Sequence, residues 1–121
     1  MKQYYYIRSR DRKHFTRYLM YHCSIYDPDT DLCYHFTARS GYVCESLYQF
    51  RQENKIIKVT AFYSDKSIED YYCRCAARKR PYNLITNNCE SFANSFVGNR
   101  EKSKQTECLL TLIFFKIISS L

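Results

Sequence analysis

The sequence predicts a single α+β domain, with strands crowded into its first half and helices in its second. Three observations carry this. Thirteen tyrosines and eight phenylalanines, with no tryptophan, favour pleated, half-buried segments whose hydroxyls need partners. The β-prone runs all fall before residue 64, and two segments with helix-capping signals follow, at 67–78 and 89–97. With 121 residues the chain can bury a real core but has little room for a second one. The expected division is a domain over 1–106 and an apolar tail over 107–121.

Taken in order, residues 4–7 (three tyrosines and an isoleucine) read as a strand, and a charged stretch over 8–14 follows. Residues 21–26 and 32–37 are two short β-prone runs around Asp27-Pro28-Asp29-Thr30-Asp31, a dense turn signal. Residues 41–54 read as a loop, and 55–63 (KIIKVTAFY) as another strand. Ser67-Ile68-Glu69-Asp70 resembles a capping box with Asp in the Glu position. The helix it opens should end before Pro81, which lacks an N–H donor and restricts the residue before it. Asn88 can cap a second helix, running from Cys89 to about Val97 and stopping at Gly98-Asn99.

Hydrophobic residues make up 45% and charged residues 26% of the chain, a balance that excludes a disordered protein. The net charge of +7 favours an anionic partner, a phospholipid surface before nucleic acid. The charges are spread over many segments rather than gathered in a stripe, which disfavours nucleic-acid binding. Seven cysteines could suggest a secreted disulfide scaffold. Their odd number, the absence of an apolar run after Met1-Lys2-Gln3-Tyr4, and a size that needs no staples favour a reducing cytoplasm instead. Cys73-Arg74-Cys75 is too closely spaced for zinc. The tail over 108–121 (CLLTLIFFKIISSL) carries one charge, Lys116. As a helix its fourteen residues would span roughly 21 Å, short of a hydrocarbon core of about 30 Å. Insertion into one leaflet, with Lys116 snorkelling to the headgroups, is the expected mode of membrane association; the alternative is a last amphipathic helix or strand packed on the core.

Cys89 is the candidate nucleophile. At the first turn of a capped helix, unpaired N–H groups and the positive dipole end favour thiolate over thiol. A thiolate paired with a histidine is the minimum equipment for covalent acyl transfer. Two histidines lie on the two β-prone runs, His22 and His35. Pro28 cannot take positive φ, so a two-residue primed turn is excluded. A four-residue loop over 27–30 would set His22 directly across from His35 on one sheet face, with Cβ atoms about 5 Å apart. A one-residue slip would break the pair. One imidazole would then take the proton from Cys89 while the other fixes its tautomer and ring plane. His14, in the charged stretch, is expected to be solvated and uninvolved.

The run Tyr82-Asn83-Leu84-Ile85-Thr86-Asn87-Asn88-Cys89-Glu90-Ser91-Phe92-Ala93-Asn94 resembles the nucleophile motif of the lecithin:retinol acyltransferase-like family. His22-Cys23-Ser24-Ile25-Tyr26 with Tyr34-His35-Phe36 resembles that family's histidine hairpin. Residues 98–105 (GNREKSKQ) are similar to the basic stretch that follows the nucleophile helix in many members. The resemblance covers roughly residues 15–105. It implies a circularly permuted papain-like fold, in which an antiparallel sheet carrying the histidines precedes the helix carrying the cysteine. It also implies Cys89 as nucleophile, His22 as base and His35 as orienting residue. The implied chemistry is phospholipase A or acyltransferase activity through a thioester with an acyl chain taken from a phospholipid or other acyl lipid. Ser91 departs from the family's histidine, 27–31 replaces its Gly-Asp-Gly turn, and its Gly-Asp-Leu-like opening is missing. The alternative is a catalytically inactive interaction protein that retains the fold.

Overall fold

The structure is a computed structural model and describes residues 1–13, 21–83 and 88–98. His14, the tail and the basic stretch beyond Gly98 lie outside the described residues. The described chain is α+β: strands β1 (Lys2–Asp11), β2 (His22–Asp27), β3 (Leu32–Thr37) and β4 (Gly41–Ser46), helix α1 (Leu47–Glu53), strand β5 (Asn54–Ser64), and helices α2 (Ile68–Arg78) and α3 (Cys89–Val97). The five strands form one antiparallel sheet in the order β4-β3-β2-β1-β5.

Strand β1 runs well past the expected 4–7. It is the only strand flanked by both β2 and β5, and pairing on both sides carries the backbone through Arg8–Asp11 despite the charges. Arg8 and Arg10 lay their guanidinium groups over the Tyr21 ring, at 5.4 and 4.7 Å from its centroid, a favourable cation–π placement. A bulge between Arg8 and Ser9 shifts the pairing with β5.

The segment 41–54 is not a loop. It forms β4 and then α1, whose start carries a full capping box: Ser46 Oγ accepts from Gln49 N–H, and Gln49 Oε1 accepts from Ser46 N–H. Helix α1 links the two edge strands, β4 and β5. Seven helical residues rise only about 10 Å, whereas five flat strands would set their outer members about 19 Å apart. The crossover therefore closes only on a curled sheet, concave toward α1.

Each sheet face has its own core. On the α1 side Leu47 and Phe50 pack with Tyr5, Ile7, Tyr26, Cys33, Val59 and Ala61. On the other side Phe92, Ala93 and Phe96 of α3 pack with Tyr4, Ile25, Tyr34, Phe36 and Phe62. Coverage on both faces is why β2 and β3 are buried almost continuously instead of alternating. Phe36, Phe50 and Phe62 are essentially inaccessible, and each such burial contributes about 1.5–3 kcal/mol. The tyrosine hydroxyls have found partners: Tyr4 donates to Lys66 O, Tyr6 to Asn94 Oδ1, Tyr26 to Asp31 Oδ1 and Tyr71 to Phe92 O.

Both later helices begin as their caps imply. Ser67 Oγ accepts from Asp70 N–H ahead of α2, and Lys79 ends that helix in the left-handed region at φ 53°. Asn88 Oδ1 accepts from Ser91 N–H ahead of α3, and Gly98 ends it at φ 69°. Among the described residues, no helix is long and apolar enough to cross a membrane.

Candidate active site

The hairpin register differs from the expected one. The loop between β2 and β3 spans 28–31, one residue later than anticipated, because Asp27 still pairs with Leu32 and Asp31 takes the positive φ of 56°. Asp tolerates that left-handed geometry better than most residues, and Tyr26 O–H anchors its carboxylate at 2.7 Å. Moving the loop by one residue moves every pairing by two, so His35 faces Ser24 rather than His22. A two-residue change preserves the sheet face. The histidines therefore stay on one side and meet on the diagonal, with His22 Nε2 2.7 Å from His35 Nδ1.

Two further side chains complete this arrangement, and neither was expected. Phe50 of α1 underlies both imidazoles, its ring centroid 6.4 Å from that of His22 and 5.3 Å from that of His35. Glu45, on β4, approaches His35 from the far side, with Oε2 2.6 Å from Nε2. Burial is the main force lowering the affinity of His35 for a second proton, and the Glu45 contact opposes it. A neutral His35 results. The register of β3 with β4 places Glu45 opposite Cys33, hence on the face that His35 shares.

Helix α3 packs on the opposite face, yet Cys89 reaches the histidines. His22 is the first residue of β2, so the helix N-terminus meets it around the strand end, where the Cys89 sulfur lies 3.9 Å from the Tyr21 carbonyl oxygen. The cap that holds Cys89 there is reciprocal: Ser91 Oγ accepts from Asn88 N–H at 2.8 Å while Asn88 Oδ1 accepts from Ser91 N–H at 2.9 Å. Ser91 thus serves the backbone geometry of the turn that carries Cys89.

Cys89 is 4% exposed and its thiol is held well below the usual range. The largest cause is a hydrogen bond from Cys23; burial acts the other way, and the hydrogen bond and positive charge of His22 act with Cys23. Cys23 is pushed in the opposite direction, by that same contact and by burial. The negative charge accordingly resides on Cys89, with Cys23 as its S–H donor. Because neighbouring strand residues point to opposite faces, the residue after His22 faces the helix. Tyr82 is a further neighbour, hydrogen-bonding to the side chain and backbone N–H of Cys89. Burial and the thiolate charge push its phenol up to about 12, so it remains a donor. Its ring rests on Phe36, centroids 5.0 Å apart.

Replacing Cys23 with Ala should therefore move the Cys89 ionisation upward, toward the ordinary thiol value of about 8.5. Alkylation of Cys89 by iodoacetamide, followed by peptide mass spectrometry, should persist to acidic pH in the wild type and fade at higher pH in the variant. Overlapping profiles would show that Cys23 has no part in holding the thiolate.

The cysteine and both histidines singled out from the sequence thus come together, joined by Glu45, Cys23 and Tyr82. Among the described residues no group of three or more His, Cys, Asp or Glu side chains could hold a metal ion. No family model, curated protein or solved structure matches the chain.

Proposed function

We propose that the protein is a cysteine-nucleophile acyl hydrolase or acyltransferase acting on phospholipids or related acyl lipids. The observation that carries this reading is a buried Cys89 at the capped start of α3, its thiol pKa lowered by Cys23 and His22, with His22 itself hydrogen-bonded to His35 at 2.7 Å. A nucleophile, a base and a group that orients the base are what two-step acyl transfer needs. The resemblance of the Asn88–Phe92 stretch and the histidine hairpin to the lecithin:retinol acyltransferase-like family points to the same chemistry, and with it to a circularly permuted papain-like fold.

In the first step the Cys89 sulfur attacks the ester carbonyl carbon, and the carbonyl electrons move onto oxygen. The Cys89 backbone N–H, at the start of α3, can donate to that oxyanion once the oxyanion displaces the Tyr82 oxygen that it meets in this structure. Collapse breaks the ester C–O bond; the leaving alkoxide takes a proton from His22, and a thioester remains. In the second step water, an amine or an alcohol gives its proton to His22 and attacks the thioester, releasing the acyl product and restoring the thiolate. No cofactor enters either step.

The test is intact-mass spectrometry after incubation with phosphatidylcholine vesicles. An added mass of one acyl chain, mapped to Cys89, is the expected result. A folded protein that takes no acyl chain, while a small thiol probe still labels Cys89, would favour a non-catalytic interaction protein.

The same reading places the protein in the cytoplasm at an anionic membrane surface. The apolar run over 108–121 and the basic residues Arg100, Lys102 and Lys104 before it support this placement. Each basic residue near the surface contributes about 1 kcal/mol. Deleting 107–121 should move the protein into the soluble fraction and reduce activity on vesicles far more than on a short-chain, water-soluble ester. Equal losses on both substrates would remove the membrane role.

A further inference from the structure

The hydrogen bond between His22 and His35 can point either way, and only one direction allows His22 to take a proton from Cys89. If His22 Nε2–H donates to His35 Nδ1, the other nitrogen of His22 is free to accept the thiol proton. If His35 Nδ1–H donates to His22 Nε2, then the neutral His22 carries its proton on Nδ1. Neither of its nitrogens can then accept without breaking the pair. In each neutral imidazole one nitrogen donates and the other accepts, so whatever fixes one ring fixes the next.

We propose that Glu45 is a positioning residue that sets the direction of this two-histidine hydrogen bond and thereby keeps His22 able to hold the Cys89 proton. A carboxylate accepts and does not donate, so Glu45 Oε2, 2.6 Å from His35 Nε2, requires the proton on that nitrogen. With Nε2 protonated, a neutral His35 has its lone pair on Nδ1, which faces His22 Nε2 at 2.7 Å. His22 must then donate from Nε2, leaving Nδ1 for Cys89. The His35 side chain is 4% exposed and that of Glu45 22%, so few waters compete for the bond that fixes the order. The inference rests on the proposed roles of Cys89 and His22, and adds a residue that touches neither.

The closing experiment compares the full-length wild type with Glu45→Gln and Glu45→Leu, by nitrogen-15 NMR of the imidazoles and by Cys89 alkylation with iodoacetamide. The wild type should show His35 as the Nε2–H tautomer. In Glu45→Leu the Nδ1–H tautomer should become populated, and the alkylation rate near pH 6 should fall at least about tenfold, since a wrong tautomer disables an otherwise intact triad. Glu45→Gln, whose amide can either accept or donate, should lie between the two and keeps the fold testable if the leucine variant unfolds. An unchanged His35 tautomer, or an alkylation rate within twofold of the wild type in both variants, would overturn the proposal. Neither readout uses an acyl lipid. Failure of vesicle acylation with both effects present would defeat the substrate assignment alone.

Discussion

Serine at position 89 is expected to abolish turnover while leaving the fold intact. A hydroxyl occupies nearly the same volume as the thiol, so the core cluster to which Cys89 belongs changes little. It does not ionise under the influence of Cys23 and His22 as the thiol does. Loss of the nucleophile from an interdependent site typically lowers the rate by on the order of 10⁴-fold or more. Hydrolysis of a water-soluble ester, measured with circular dichroism on the same sample, decides the matter. Full activity in the serine variant would rule out the thioester route. Cys33, Cys44 and Cys73 should be dispensable for turnover: Cys33 is sealed in the other core, and Cys44 and Cys73 are exposed.

The second large effect separates the two histidines. His22→Gln removes the group that exchanges protons with thiol and leaving group, at a cost of roughly 10²–10⁴ in rate. His35→Gln keeps an amide that can still bond to both His22 and Glu45, so measurable activity should remain. Steady-state kinetics of the two variants on one ester substrate gives the comparison. Equal tolerance at both positions would mean that the roles of His22 and His35 are assigned wrongly.

What was legible in the sequence divides along physical lines. The caps of α2 and α3 are local, set by Ser67 and Asn88 reaching three residues ahead, and both helices begin where those side chains indicated. Strands β2 and β3 flank a turn whose Asp and Pro residues announce it, and the shared face of His22 and His35 survived an error in the loop because strand parity did. The exact partner did not survive, since the left-handed residue proved to be Asp31. Strand β1 extends past the expected 4–7 because its second half is held by neighbours thirteen to fifty residues away, such as His22 and Asn54, and no window around Arg8–Asp11 contains them. The capping box at Ser46 and Gln49 was legible and passed over. Missing it hid α1, and with β4 unplaced Glu45 had no face to occupy. The circular permutation and the lipid chemistry rest on the resemblance and on the acylation experiment.

The separation of the site along the chain bears on when the thiol becomes reactive. His22, His35 and Glu45 lie on consecutive antiparallel strands, and their contacts span only 13 and 10 positions of chain. Cys89 comes from a segment that meets the start of β2 across 68 positions of chain. Before that docking its thiol has no Cys23 or His22 beside it and differs little from the other six. The selective reactivity of Cys89 thus depends on the docking of α3 at the start of β2, and a chain in which that docking is lost carries no selectively activated thiol.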